Sequence, residues 1–419
     1  MSSDDLSTRA RASGTRWLLP SGVAPDAGPV LLARGLRAIA DGYVAVLLPA
    51  YLIALGLSPF AVGFIASATL IGSALGTIAV GLWGHRFHAQ RLLAGASLLM
   101  AATGTGFVAF SSLWPLAAVA FIGTLNPSSG DVSVFLPLEH ARLASAASGH
   151  ARTTLFARYS VLGAICGALG SLAAGLPDVM ALHGGLSRLT ALRLMFALYA
   201  SIGLVVWWLY RQAGVTAAAP GGVDAPSPLG PSRRIVLRLA VLFSVDSFAG
   251  GLAVNALMSL WLFQRFGLSL AQAGAFFFWT GLFSAASQFV APHVARRFGL
   301  LNTMVFTHIP ASLCLMAAAL APSLPVALGL LLARSALSQM DVPTRSAYVM
   351  AVVTPPERPA AASVTAVPRS LAAAISPVLA GSLFAAGAIS APLLACGTLK
   401  IVYDLVLWRA FRRTSPKET

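Results

Sequence analysis

Charge is what this chain has least of. Only 10% of its 419 residues are Asp, Glu, Lys or Arg, against roughly 25% in an ordinary soluble protein. Hydrophobic residues make up 57%, and a water-soluble globular domain is excluded. Acids are scarcer than bases, 13 against 28, which gives a net charge of +15. That excess forms no basic patch interleaved with aromatics, so it does not mark a nucleic-acid surface. The three cysteines, Cys166, Cys314 and Cys396, sit inside apolar runs without metal or redox spacing, so neither a disulfide framework nor a metal centre is expected. The seven histidines do not cluster, and no Walker-type phosphate loop occurs. No cofactor follows, and an intramembrane enzyme is a remote alternative. A transport-dead receptor is equally remote, because the longest loop is a short linker.

What is there instead is apolar sequence in runs of about 20 residues, each long enough to cross a bilayer as a helix. Twelve spans are expected near residues 30–55, 60–83, 91–110, 113–137, 154–176, 191–210, 236–263, 271–295, 301–321, 324–352, 363–386 and 392–410. Arginines gather in alternate loops, at Arg86 and Arg91, Arg142 and Arg152, Arg211 with Arg233 and Arg234, Arg296 and Arg297, and Arg358. The positive-inside rule then puts both termini in the cytoplasm, in a multi-pass protein of a bacterial inner membrane. Residues 1–28 lack the apolar core of a signal peptide and read as a disordered cytoplasmic tail. Residues 29–212 form one six-helix bundle, 213–233 a Pro/Gly-rich cytoplasmic linker, 234–411 a second bundle, and 412–419 a cytoplasmic tail.

The two bundles are copies. Gly56-Leu57-Ser58 recurs as Gly267-Leu268-Ser269, Arg86-Phe87 as Arg297-Phe298, Arg158 as Arg369 and Gly170 as Gly381, all at an offset of 211. Asp131-Val132 recurs as Asp341-Val342 at an offset of 210. Two parallel repeats of six spans therefore make an all-α membrane protein. This pattern resembles the major facilitator superfamily, over nearly the whole chain. Between spans 2 and 3, Gly81 and Arg86 match a well-known motif of that family, while His85 replaces its acid and His88 its second glycine. In span 5, Gly163 and Gly167 match part of the exporter motif, but Ala168 replaces its proline.

The resemblance implies that spans 1, 4, 7 and 10 line a central cavity, and those four carry most of the embedded polar residues. Span 1 has Arg34, Arg37 and Asp41; span 4 has Thr124, Asn126, Ser128 and Asp131; span 7 has Asp246, Asn255 and Ser259. Span 10 has Arg334, Ser338, Asp341, Arg345 and Tyr348 at helical spacing, with Gln339 beside them and Pro343 placed to kink it. Each charge in hydrocarbon costs roughly 2.5–3.5 kcal/mol, so such a stripe needs a cavity or other helices to face.

Residues without a counterpart in the other repeat are the better candidates for an asymmetric substrate: Arg37, Asp41, Asn255 and Arg334, with Asn126 and Gln339. Asp41 lies about 16 Å into span 1 at ~1.5 Å per residue and is the expected proton-coupling carboxylate, with Asp246 second. The duplicated residues suggest gate pairs, Asp131 with Arg158 and Asp341 with Arg369. Arg37 could instead neutralise Asp41. Lys400 and Asp404, i and i+4 on span 12, read as an internal ion pair. His308 on span 9 reads as structural. The expected function is secondary transport of a small organic solute, foremost proton-coupled export of a drug-like or metabolite substrate by a monomer. Uptake or exchange of an organic anion held by cavity arginines is the alternative.

Overall fold

The computed structural model describes Leu19 and residues 23–128, 133–212 and 229–412. Among the described residues all regular structure is helical. Ten segments are long and apolar enough to cross a membrane. Eight of them are single rods: Ala27–Ala54 (span 1), Pro59–Trp83 (2), Ala89–Ala109 (3), Arg188–Gln212 (6), Leu270–Phe298 (8), Leu300–Ala319 (9), Arg358–Ala385 (11) and Ala391–Phe411 (12); span 5, Gly149–Ala173, is followed directly by the short helix Leu176–Gly184. Span 7 runs over Arg233–Gly251 and Asn255–Phe266, with a break between. Two further spans are each made of two short helices. Span 4 is Leu113–Ile122 and Phe135–Ala146, and span 10 is Leu324–Ser338 and Asp341–Val352.

The sequence pointed to single spans at 4 and 7 and a kink or local opening at Pro343 in span 10. All three are interrupted outright, and in span 10 the break falls at Gln339 and Met340, just ahead of Asp341. Pro343 then occupies the first turn of the second helix, where its missing N–H has no partner to lose. Broken helices at membrane depth are tolerated where protein or a water-filled cavity satisfies the freed backbone groups. Here one such group is accounted for across the molecule: the Ala256 N–H beyond the span 7 break donates to the Pro127 carbonyl in the span 4 break, at 3.1 Å.

The duplicated Gly-Leu-Ser has a local cause. Gly56 and Gly267 lie at positive φ, 81° and 64°, where a side chain would be strained, and end spans 1 and 7. Ser58 and Ser269 then take the N-cap positions of spans 2 and 8; the Ser269 hydroxyl forms a full capping box with Gln272, and Ser58 makes no side-chain cap bond.

The halves meet at the end away from the termini. There Gly63 of span 2 lies so close to span 11 that a Cβ would sit 2.2 Å from the Pro377 carbonyl oxygen. Nearby, the Val378 N–H donates to Ser67 Oγ at 2.9 Å. Span 8 packs on span 5 in the same way, with Gly274 against the Ser171 carbonyl. One apolar core joins both halves at this end, through Tyr51, Phe107 and Phe196 of the first and Trp261, Phe276 and Leu315 of the second. At the terminus end each half has its own core. Val30, Phe135 and Tyr210 belong to one, Val236, Val352 and Phe411 to the other. The molecule is therefore closed at one end and parted at the other.

Candidate functional site

Each half buries an ionic cluster. In the first half the centre is Glu139, fully buried in the second helix of span 4. Its carboxylate accepts from the Arg37 guanidinium, from Tyr159 Oη at 2.6 Å and from Tyr210 Oη. Arg37 also lies over the Phe135 ring, 4.0 Å from its centroid. Arg37 was expected at the substrate or beside Asp41. It is instead 3% exposed and committed to Glu139, because a buried carboxylate needs a cation and donors more than a half-buried one does. Glu139 itself was missed, since span 4 was expected to end at residue 137.

In the second half the centre is Asp246 of span 7. Lys400 Nζ of span 12 donates to it at 2.6 Å, and Arg345 of span 10 approaches its other oxygen at 3.2 Å. Arg345 also pairs with Asp341 on its own helix. His308 of span 9 closes the cluster: Nδ1 lies 3.0 Å from Asp404 and Nε2 3.3 Å from Lys400 Nζ. These distances suit the tautomer in which Nδ1–H donates to Asp404 and Nε2 accepts from Lys400, an assignment made from the network.

Several sequence expectations change here. Lys400 and Asp404 do not pair with each other; Lys400 turns to Asp246 and Asp404 to His308. Asp341 pairs with Arg345 rather than Arg369, and Arg369 makes no ion pair within 4.0 Å among the described residues. The counterpart Asp131 lies outside the described residues, while Arg158 is exposed. Asp246, second choice for proton coupling, is held by two cations, and its protonation would leave Lys400 without a carboxylate and Arg345 with Asp341 alone.

Beside this cluster a cavity of about 130 Å³ opens among spans 9, 10 and 12. It is lined by His308, Ser312, Arg334, Ser338, Gln339, Asp341, Arg345 and Lys400, with Ala311 and Val342 as its apolar members. The structure thus brings Arg334 and Gln339 together as expected from the span 10 stripe, and adds His308 and Lys400 from spans taken for peripheral. The half-exposed residues at the span 10 break, Ser338 and Gln339, border it.

The other candidates sit elsewhere. Asn126 Oδ1 accepts from Ser128 N–H and Oγ, at 3.1 and 2.8 Å, and so folds the span 4 break. Asn255 begins the second helix of span 7, next to Ala256, whose N–H reaches that same break. Asp41 is half-buried near Tyr43 and Tyr199, and Tyr199 Oη donates to the Thr124 carbonyl at 3.2 Å. Asp41, Asn126 and Asn255 therefore belong to the region where the breaks of spans 4 and 7 meet, apart from the span 10 cavity. No group of three or more His, Cys, Asp or Glu suited to a metal occurs among the described residues.

An uncharacterized membrane protein of Saccharomyces cerevisiae, YJR124C, is 24% identical over 406 residues, covering 89% of this chain and 91% of its own. Among solved structures, the nucleoside transporter NupG superposes with a TM-score of 0.73 at 14% identity, covering 93% of this chain and all of that one. The xylose transporter XylE from E. coli gives 0.68 at 16% identity, with 93% and 97% covered. The human organic anion transporter MFSD10 gives 0.56 at 20% identity, with 91% and 98% covered. These likenesses carry the fold, and the solutes in their names belong to those proteins. The sequence profile of the Major Facilitator Superfamily matches residues 30–340. With that match, the paired six-span halves and the broken spans facing one another, the chain is a member of the Major Facilitator Superfamily, a transporter and not an enzyme.

Proposed function

We propose that this protein is a proton-coupled secondary transporter that moves a small organic solute by alternating access as a monomer. The observation that carries the reading is the arrangement of its cores: one core shared by both halves at one end, separate cores at the other. Rocking two bodies about a waist needs such an asymmetry. The bodies are residues 29–212 and 234–411. With the termini cytoplasmic, as the arginine-rich loops suggest, this is the inward-facing state. The yeast relative gives no support to a bacterial inner membrane, so the proposal is confined to a membrane with both termini on its inner side.

Asp41 is our coupling carboxylate. It is half-buried where the breaks of spans 4 and 7 meet, at the seam that rocking of the two halves would open and close. Asp246 instead is held by Lys400 and Arg345 inside one half. We propose export as the direction, on the span 5 pattern, although its glycines also serve packing: a Cβ on Gly170 would sit 2.2 Å from the Ile39 carbonyl of span 1.

Asp41→Asn tests the reading in proteoliposomes. Transport driven by a pH gradient should be abolished, while solute binding and downhill exchange persist. Gradient-driven transport at the wild-type rate would remove Asp41 from coupling. Everted and right-side-out vesicles compared under the same gradient report the direction.

A further inference from the structure

We infer that the cavity at the span 10 break is an anion site, taking the carboxylate or phosphate head of a small organic substrate on Arg334. This rests on the transporter reading above and names its substrate class.

The argument is a count of donors and acceptors. Three carboxylates lie in or beside the cavity, and each is already taken: Asp246 by Lys400 and Arg345, Asp341 by Arg345, Asp404 by His308. The donors are not exhausted. Arg334 has no ion pair within 4.0 Å among the described residues, although it lines the cavity beside Asp341. Ser312 is 2% exposed, lines the same cavity, and its hydroxyl has no partner. Arg345 Nε is likewise buried without an acceptor.

Many buried helical hydroxyls here turn back to the carbonyl four residues earlier, as Thr69, Ser97, Ser335 and Thr365 do. Ser312 leaves that option unused, as do Ser259 and Ser287, but of these three only Ser312 lines the cavity. An unpaired cation and an orphaned hydroxyl on one cavity wall call for an acceptor that the protein does not supply. An oxyanion offers both of them an acceptor, and a cation offers neither one.

Size narrows the ligand further. About 130 Å³ is room for roughly four waters at ~30 Å³ each. Pockets that enclose a whole drug-sized ligand start near ~300 Å³. The cavity therefore fits one oxyanion head, with the remainder of the substrate extending past Ser338 and Gln339 at its border. The guanidinium fork of Arg334 matches a carboxylate or phosphate edge with two parallel bonds, which an ammonium could not do.

Thermal shift on the purified full chain tests this with benzoate, phenyl phosphate, benzamide and benzylamine as probes. Benzoate, phenyl phosphate or both should stabilise the protein, and the neutral amide and the amine should not. A response to benzoate alone assigns a carboxylate head, and a response to phenyl phosphate alone assigns a phosphate. Arg334→Gln should weaken the anion at least about tenfold, and Ser312→Ala by a smaller factor. Should Arg334→Gln fail to fold, Arg334→Lys keeps the charge without the fork and should still weaken binding severalfold. Equal stabilisation by benzamide or benzylamine, no response to either anion, or wild-type affinity in the Arg334 variants would overturn the site. Single cysteines on spans 2 and 11, labelled from either side, report alternating access separately. If they switch while the anions fail, the anion assignment falls and the transport reading stands.

Discussion

In the first half a single carboxylate, Glu139, takes its bonds from one arginine and two tyrosines, and Arg37 Nε is left buried without an acceptor. In the second half three carboxylates are shared among Arg345, Lys400 and His308, and a cavity with spare donors lies alongside. Both clusters are buried and both tie spans of one bundle together. The difference is the cavity. An ionic cluster without one can only hold helices in place, whereas one that borders a cavity can also receive a ligand. Duplication supplied the fold twice, and this cavity borders the second copy's cluster.

The largest effect should come from breaking the first cluster. Glu139→Ala strands the buried Arg37 and should destabilise the first half by about 3–5 kcal/mol, seen as a fall in melting temperature. Benzoate binding by the folded fraction should be unchanged. A variant of normal stability that had lost anion binding would end the comparison, because the two clusters would then share one function.

A smaller effect is expected within the second cluster. Asp246→Asn and Lys400→Met should each destabilise, and the double variant should be less harmful than the two added together. The coupling should fall in the range of about 0.5–3 kcal/mol found for directly contacting groups. Strict additivity would mean that the 2.6 Å contact carries no energy of its own.

The smallest expected effect lies at the terminus end, where each half pins its first span to the end of its fourth. In the first half the tie is a backbone bond, Ala24 N–H to the Ala146 carbonyl at 2.9 Å. In the second half it is a carboxylate: Glu357 accepts from Ser232, Thr354 and the Gly230 N–H, which together hold its pKa down at about 2. A carboxyl lowered by folding stabilises fully above its ordinary range near ~4.3 and loses that contribution as pH falls through the folded value. The protection factors of the amides around Gly230, exchange rates corrected for their intrinsic pH dependence, should therefore fall from pH 5 towards pH 3, and that change should be absent from Glu357→Gln. Exchange at Ala24 should not share it. Equal loosening at both ties would show that the asymmetry has no consequence.

Much of this could be read beforehand. The spans and the turn glycines follow from local patterns such as apolar length, Arg placement and Gly-Leu-Ser, and the repeat from matches held at an offset of 211. The pairing of buried charges could not be read that way. The i, i+4 spacing of Lys400 and Asp404 suggested a local bond, yet their partners lie 154 and 96 residues away. Arg37 similarly bypasses Asp41 for Glu139, 102 residues on. Helical spacing limits which groups share a face, but it does not say what the facing helix brings. The His308 ring was discounted because span 9 was taken as peripheral. The signal that would have found it is the rule that an ionisable group in a membrane span needs a named partner.

The sequence by itself determined that this is an all-helical membrane protein of two like halves, because the bilayer imposes a length and an apolarity on every crossing segment. It also determined which spans carry charge. Tertiary structure alone decided which of those charges neutralise one another and which is left over. In a low-dielectric interior each charge takes the nearest available partner in space, and distance in space is set by helix packing, not by position along the chain. Arg334 is a candidate for binding because the packing of spans 9, 10 and 12 gives Asp246, Asp341 and Asp404 to other residues.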